Sequence, residues 1–398
     1  MEAVYLDHAA TTPMVPEAVA ALTEQLTRTG NASSLHGAGR AARRVVEESR
    51  ERIAAALGAH PGEVVFTSGG TEADNLALKG LFWRARAADP RRTRVLASAV
   101  EHHAVLDPAQ WLADHEGAQV EWLPVDERGR LRLDALADCL AQDPASVALV
   151  TVMAANNEVG TVQPVREVVA LAHEHGIPVH VDAVQAAGHL GVDFAGWGVD
   201  ALTVTAHKLG GPYGVGALLL RRELDATALL HGGGQERDVR SGTLDPPAIA
   251  AFAAALGVAE ARRTAETARL EALRSRLVEQ VARLVPDVRV NGDPDPAGRL
   301  PHIAHLSFPG CEGDSLLMLL DARQIACSTG SACSAGVPQA SHVLLAMGRD
   351  EAEARSSLRF SLGHTSTEAD VDRVLAEIGP AVERARAAGA LSARRAVR

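Results

Sequence analysis

The spacing of apolar and polar residues changes period repeatedly along this chain. Between about residues 60 and 220, short apolar runs alternate with stretches whose apolar positions recur at helical spacing. "EVVFTS" leads into "TEADNLALKGLFWRARAA", "RVLASAV" into "HHAVLDPAQWLADHE", and "SVALVTVMA", after a loop, into "VREVVALAHEHG". Three further runs follow: "IPVHVDAV", "DALTVTAHK" and "GVGALLLRR". Strands alternating with helices predict an α/β unit with a mostly parallel sheet covered by helices. Residues 246 to 285 read as one long Ala/Arg/Leu-rich helix that bridges to a second unit. Beyond it, "VRVNG", "IAHLSF", "QIACSTG" and "SLRFSLG" alternate with helical segments and predict a smaller α+β domain. No internal repeat or low-complexity linker interrupts this order.

Composition narrows the class. A chain of 398 residues with 47% hydrophobic and 22% charged residues can bury the cores of two domains. The net charge of −11 argues against a nucleic-acid surface. The longest apolar run, "AIAAFAAALGVA", falls short of the roughly 20 residues of a membrane helix. The start "MEAVYLDHAATTP" lacks the basic-then-apolar order of a secretory signal, so a cytoplasmic protein is expected. Cys139, Cys311, Cys327 and Cys333 are too few and too scattered for a disulfide framework.

One residue type is conspicuous by its scarcity. Of 39 basic side chains only two are lysines, Lys79 and Lys208. Arginine replaces lysine as a surface charge but not as a neutral amine nucleophile. Lys208 follows the apolar run "ALTVTAH", at the carboxyl end of an expected strand, where ligands gather in open α/β sheets. Asp182 ends "IPVHVD", and "SGGTEADN" follows "EVVFT" as a glycine turn opening a helix. Such a turn suits a phosphate, with Ser68 or Thr71 adding a hydroxyl. Each feature has a plainer explanation. Thr71 with Asp74 also makes an ordinary helix cap, Asp182 also suits the cap of a helix at "AVQAAG", and Lys208 also suits a strand-end surface position. Together, a cradle, a carboxylate and a lysine at three strand ends are what pyridoxal phosphate requires. The lysine holds its aldehyde, the carboxylate keeps its ring nitrogen protonated, and the cradle holds its phosphate.

Competing chemistries lack their signatures. There is no G-x-G-x-x-G after the first strand and no G-x-x-x-x-G-K-[ST], which disfavours nucleotide binding. No metal is expected either: "HEH" at 173 to 175 splits its histidines between helix faces, and no C-x-x-C pair exists. In "CSTGSACSAG", residues 327 to 336, Cys333 lies among Ser, Gly and Ala, a composition that reads as an accessible loop. That makes Cys333 a candidate nucleophile. Cys139 in "LDALADCLAQ" fits a buried, inert thiol, as does Cys327 at a strand end, while Cys311 stays open. Arg359, in mid-strand in "SSLRFSLG", suits either a grip on a substrate carboxylate or a salt bridge between domains.

The motifs "YLDHAATTP", "FTSGGTEADNLALKG", "EHHAVL", "NNEVGTVQP", "HVDAVQAAG", "TAHKLGGPYGVGALL", "HGGGQERDVRSGT", "STGSACSAG" and "SLRFSLG" follow one another in an order that resembles cysteine desulfurases of the NifS/IscS-like class, within the class-V aminotransferase group of pyridoxal phosphate enzymes. The resemblance covers nearly the whole chain. It implies a homodimer with the fold of the aspartate aminotransferase type. An N-terminal arm, 1–15, associates with the small domain, residues 16–255 form a large domain with a mostly parallel seven-stranded sheet, and residues 256–398 form the small domain carrying Cys333.

By the same resemblance, Lys208 binds the cofactor and moves the α-proton, Asp182 partners the ring nitrogen, and Gln185 donates to the ring oxygen. His102 stacks on the ring and shuttles protons, and Asn157 lies beside it. Gly70, Thr71, Thr205 and His207 hold the phosphate, with Thr243 reaching over from the second subunit. Arg359 and Asn31 grip the substrate carboxylate. L-cysteine is then converted to alanine, leaving a persulfide on Cys333 for a sulfur acceptor, an iron–sulfur scaffold or a tRNA-thiolation enzyme.

Two features depart from that family. Cys327 precedes the nucleophile candidate by six residues, and the tail "LSARRAVR" lacks the apolar end with which some relatives meet a scaffold. A buried structural role is expected for Cys327. Three other readings are weighed: a selenocysteine lyase, an aminotransferase of the same class, and a non-catalytic sulfur or iron–sulfur carrier. An aminotransferase has no use for Cys333, and a carrier predicts degraded cofactor contacts.

Overall fold

The computed structural model of the chain describes residues 3–330 and 340–396. After a short strand β1 (Val4–Tyr5) come the strands of the main sheet: β2 (Val64–Thr67), β3 (Arg94–Ser98), β4 (Gln119–Leu123), β5 (Val147–Met153), β6 (Val179–Asp182), β7 (Ala201–Thr205) and β8 (Gly216–Leu220). In space they lie in the order β2-β8-β7-β6-β5-β3-β4. All neighbouring pairs are parallel except the two made by β8, which runs against β2 and β7. The expected seven-stranded, mostly parallel sheet is present. Every residue of β2, β3 and β5 to β8 is buried, as continuous apolar runs require when helices cover both faces. The edge strand β4, "QVEWL", is mostly exposed, so its mixed polarity offered no apolar run to read.

This order gathers the carboxyl ends of six strands along one edge. The chain runs from β3 outward to β4, then returns past β3 to β5, and that reversal opens a crevice where ligands bind in such sheets. Two glycines shape it. Gly69, with φ 153°, turns the chain from β2 into the helix Gly70–Ala88, a conformation costly for any residue with a side chain. Gly216 lies beneath that turn, where a Cβ would sit 2.8 Å from the Gly69 carbonyl carbon.

The helix Pro246–Leu284 is about 58 Å long at 1.5 Å per residue. Asp245 caps it, accepting from the Ala248 N–H at 3.1 Å, and prolines occupy the first two positions. Its early turns bury Ile249, Phe252 and Leu256 in the core of the main sheet, and later turns bury Leu270, Leu277 and Val281 in a second core. The boundary expected at residue 255 lies inside this continuous helix. The second core collects β9 (Arg289–Asn291), β10 (Ile303–Ser307), β11 (Ile325–Ala326) and β12 (Ser357–Ser361). Three of these form an antiparallel sheet in the order β12-β10-β9. β11 pairs instead with β1 in parallel, Val4 opposite Ile325.

A buried ion pair fixes the loop between β8 and the long helix. Glu236, 2% exposed, accepts from Arg50 Nη1 and Nη2 and from the Phe66 N–H, each at 2.8 Å. Removing one partner strands the other charge in the interior. Glu236→Ala is expected to cost about 3–5 kcal/mol in denaturant unfolding, while Arg50→Met with Glu236→Leu recovers most of it. A loss for Glu236→Ala of only about 1 kcal/mol, as at exposed pairs, contradicts this.

Candidate active site

A cavity of about 400 Å³ lies at the carboxyl edge of the sheet. Lys208 reaches it from the turn Ala206–Lys208 that follows β7. Its Nζ donates to the Ala9 carbonyl at 2.5 Å and the Ala10 carbonyl at 2.7 Å. No carboxylate forms an ion pair with it among the described residues. Burial and then the nearby Arg359 hold its pKa down to about 8, with Asp7 and Asp182 opposing. Asp182, at the end of β6, is buried and accepts from the Val184 N–H at 2.8 Å. Burial pushes it up to about 6 against the opposing effects of that N–H and Lys208. Turns rather than a helix follow Asp182, so it caps none. Gln185 lies beside it and donates from Nε2 to the Ala9 carbonyl at 2.8 Å.

The opposite wall comes from other strand ends. His102, four residues after the end of β3, caps the helix His103–Glu116 by accepting from the Ala104 N–H at 3.1 Å. Its exposed face lines the cavity, where desolvation and then Lys208 hold it neutral, down to about 4. His207, beside Lys208, is held to about 4 for the same reasons and meets the Thr11 hydroxyl at 3.3 Å. Gly70, Thr71 and Thr205 also line the cavity. The helix beginning at Gly70 has no side-chain cap, so its first N–H groups face an anion-ready space. The capping pair of Thr71 with Asp74 does not form: Thr71 is exposed and Asp74 is 1% exposed, pointing into the protein.

Asn157 and Arg359 complete the wall. Arg359, 4% exposed, donates from Nη1 to the Asn157 carbonyl and from Nη2 to Asp7, both at 2.8 Å. Its Nε is buried with no partner. The salt bridge to the N-terminal arm is thus present, and the Arg359 side chain also lines the cavity.

Two expected residues lie elsewhere. Asn31 does not line this cavity; its side chain accepts from the Ser33 N–H at 2.9 Å in an exposed turn. Thr243 is also absent from the cavity wall and is exposed on the loop anchored by Glu236 and by the Arg240–Glu72 ion pair, 2.8 Å. Cys333 lies outside the described residues. Its flanks do not: Ser328 and Gly330 before it and His342 after it line the cavity. Cys311 and Cys327 are buried and Cys139 partly so.

Reading the sequence alone missed the carbonyls of Ala9 and Ala10, and the buried carboxyls of Asp74 and Glu101. Asp74 had a signal: it falls with Ala77, Leu78 and Leu81 on the buried stripe of its helix, where a charge needs a reason.

Comparison with known proteins follows the same geometry. The chain matches the aminotransferase class-V family over residues 4–374. It is 56% identical over 389 residues to an IscS-like cysteine desulfurase of Mycobacterium tuberculosis, covering 98% of each chain. It is 40% identical over 386 residues to the cysteine desulfurase IscS of Methanosarcina thermophila, covering 97% of this chain and 93% of that one. A solved NifS-like protein superposes with a TM-score of 0.88 at 34% identity, over 96% of this chain and 100% of the other. Fold, strand-end cavity and sequence agree, and the chain belongs to the class-V aminotransferase family.

Proposed function

We propose that this chain is a pyridoxal phosphate-dependent cysteine desulfurase that releases alanine from L-cysteine and takes the sulfur onto Cys333. The observation that carries it is the half-buried Lys208 amine, its pKa held down to about 8, in one cavity with Asp182 and an uncapped helix start. These groups fit the cofactor: an amine for its aldehyde, a buried carboxylate for its ring nitrogen, and free N–H groups for its phosphate. When bound, pyridoxal phosphate supplies a ring that draws off the charge developing at the substrate α-carbon.

The residues divide the remaining work. Lys208, with a substantial neutral fraction near pH 8, binds the cofactor and then takes the α-proton. Asp182 would partner the ring nitrogen, and Gln185, whose Nε2 donates to the Ala9 carbonyl here, would offer its remaining N–H to the ring oxygen. His102, neutral, would stack on the ring and accept protons, with Asn157 beside it. Gly70, Thr71, Thr205 and His207 hold the phosphate. Arg359, which lines the cavity, would hold the substrate carboxylate.

Asn31 and Thr243, which do not line the cavity of their own chain, serve these roles in a homodimer. The division into an arm 1–15, a large domain 16–255 and a small domain 256–398 is proposed on the same basis.

Cys333 is three residues from Gly330 on the cavity wall, so chain geometry holds its Cα within about 11 Å of that wall. Its thiolate attacks the substrate sulfur. An S–S bond forms, the C–S bond breaks with its electrons kept on carbon, and a proton returned to that carbon completes alanine. The sulfur then passes to an acceptor protein, an iron–sulfur scaffold or a tRNA-thiolation enzyme. Among the described residues no helix is long and apolar enough to cross a membrane, and we place the enzyme in the cytoplasm.

Three measurements test this. Lys208→Ala is expected to lose the visible absorbance of covalently held cofactor, and Lys79→Ala to keep it; the reverse result refutes the assignment. Cofactor-free protein should capture pyridoxal phosphate with a rate that half-saturates near pH 8, because only the neutral amine attacks. Below that, the rate falls roughly tenfold per pH unit in stopped-flow absorbance; a flat profile from pH 6 to 9 contradicts a titrating Lys208. Cys333→Ser should abolish alanine and sulfide formation from cysteine, and mass spectrometry of the wild-type peptide should show one added sulfur. Unchanged turnover removes Cys333 from the reaction.

A further inference from the structure

At the cavity floor lies an arrangement of which the reaction above uses only Asp182. On one face of the sheet, Thr151 of β5, His180 and Asp182 of β6 and Thr203 of β7 stand side by side, Thr151 opposite His180 and Asp182 opposite Thr203. The first turns of the helix Gly70–Ala88 cover this face and insert Asp74 among them. Asp74 Oδ1 lies 3.5 Å from His180 Nε2 and has no hydrogen-bond partner, though it is 1% exposed. Glu101, 0% exposed, approaches from beyond β3; its Oε1 accepts from the Met153 N–H at 2.6 Å, and its Oε2 has no partner.

Three carboxyls, none more than 6% exposed, therefore come together at the cavity floor: Asp74, Glu101 and Asp182. The cation closest to serving them is Lys208, which interacts with Asp182 and is itself held by carbonyls. His180 is no counter-ion. It is fully buried, its Nδ1 meets Thr151 Oγ1 at 2.9 Å and its Nε2 meets Thr203 Oγ1 at 3.0 Å. Burial keeps it neutral, down to about 3. Three negative charges in such a region repel one another with little screening, and carboxyls in that position share protons instead.

We propose that Asp74 and Asp182 hold a single proton between them, resident on Asp74, so that this pair presents one negative charge to the cavity and presents it on Asp182. Asp74 is then a positioning residue: it lies at the cavity floor but is 1% exposed, and its neutral carboxyl fixes which group carries the charge. Burial raises the proton affinity of Asp74, and Asp182 and Glu101 raise it further, against a hydrogen bond from Thr203. Glu101 is pushed up by burial and then by Asp182. This deepens the reading of Asp182 as the partner of the ring nitrogen and rests on it for its use. The shared proton itself belongs to the protein with or without cofactor.

Infrared spectroscopy of the protein with ¹³C-labelled aspartate tests it, because labelling shifts aspartic but not glutamic acid bands. At pH 7, cofactor-free and cofactor-loaded wild type should both show one protonated, buried aspartic acid. Asp74→Asn should lose that band and Glu101→Gln should keep it. Loaded Asp74→Asn should also keep the wild-type visible spectrum at pH 7, since an amide replaces a group already neutral. It should lose the change that wild type shows in alkaline solution when the shared proton leaves.

Absence of a protonated aspartic band in wild type overturns the proposal even if the variant does not fold. So does a band that survives Asp74→Asn, or a visible spectrum that collapses in Asp74→Asn at pH 7. Failure of cofactor to bind wild type at all would instead strike at the desulfurase assignment and leave the infrared result standing.

Discussion

Burial of one amine organises this molecule. Lys208 is half-buried in the cavity wall, and what its amine meets is not a carboxylate but the carbonyls of Ala9 and Ala10. A salt bridge there would keep the amine charged; carbonyl acceptors tolerate it in either state, so desolvation sets its proton affinity. The consequence for the fold is that the N-terminal arm must cross the cavity edge. β1 pairs with β11, Ala9 N donates to the Ser361 hydroxyl at 2.9 Å, and Asp7 pairs with Arg359. Each of these contacts lies in the C-terminal part of the chain. The main sheet supplies the amine, and the second core supplies the strap that desolvates it. Neither part alone makes a reactive lysine.

Electrostatics inside the cavity follow the same logic of exclusion. His102 and His207 are neutral because the region is enclosed and because Lys208 already contributes positive charge. Neutral imidazoles can accept protons, which protonated ones cannot. Arg359 adds a fixed cation on the far wall and lowers the proton affinity of Lys208 further, so a carboxylate-bearing ligand would relieve a strain in charge that the protein maintains. Complementarity to a zwitterionic amino acid is therefore built from two opposed demands on one pocket.

What could be read in the sequence, and what could not, divides along physical lines. Strands covered on both faces leave apolar runs, and all six such strands of the main sheet were legible; β4, at the edge, alternates polar and apolar residues and was not. Side chains that must be one residue type stood out, Lys208 through the scarcity of lysine and Arg359 through its place in a strand. The Ala9 and Ala10 carbonyls could not, because every residue owns a carbonyl and only folding brings two of them to an amine. Asp74 was read as half of a helix cap, since capping is decided locally, whereas its burial depends on how the helix lies across β6 and β7. Asn31 and Thr243 were visible as motif letters, but their places outside the cavity depend on the path of loops that periodicity does not describe.

The fold suppresses the thiolate form at three of the four cysteines. Cys327 follows β11 directly, and the next residue, Ser328, lines the cavity, so proximity alone would make it a rival nucleophile. Burial and then the charge of Asp7 push its pKa up to about 12. At pH 7 its thiolate fraction is about one part in a hundred thousand, and the thiolate is the nucleophile. Cys311 and Cys139 are pushed upward as well, burial being the first cause in each. The Ser, Gly and Ala residues around Cys333 can supply none of that burial from their own side chains. Selectivity among the thiols is thus achieved by silencing three through the cores that enclose them, and the same Asp7 that anchors the arm to Arg359 helps silence the nearest.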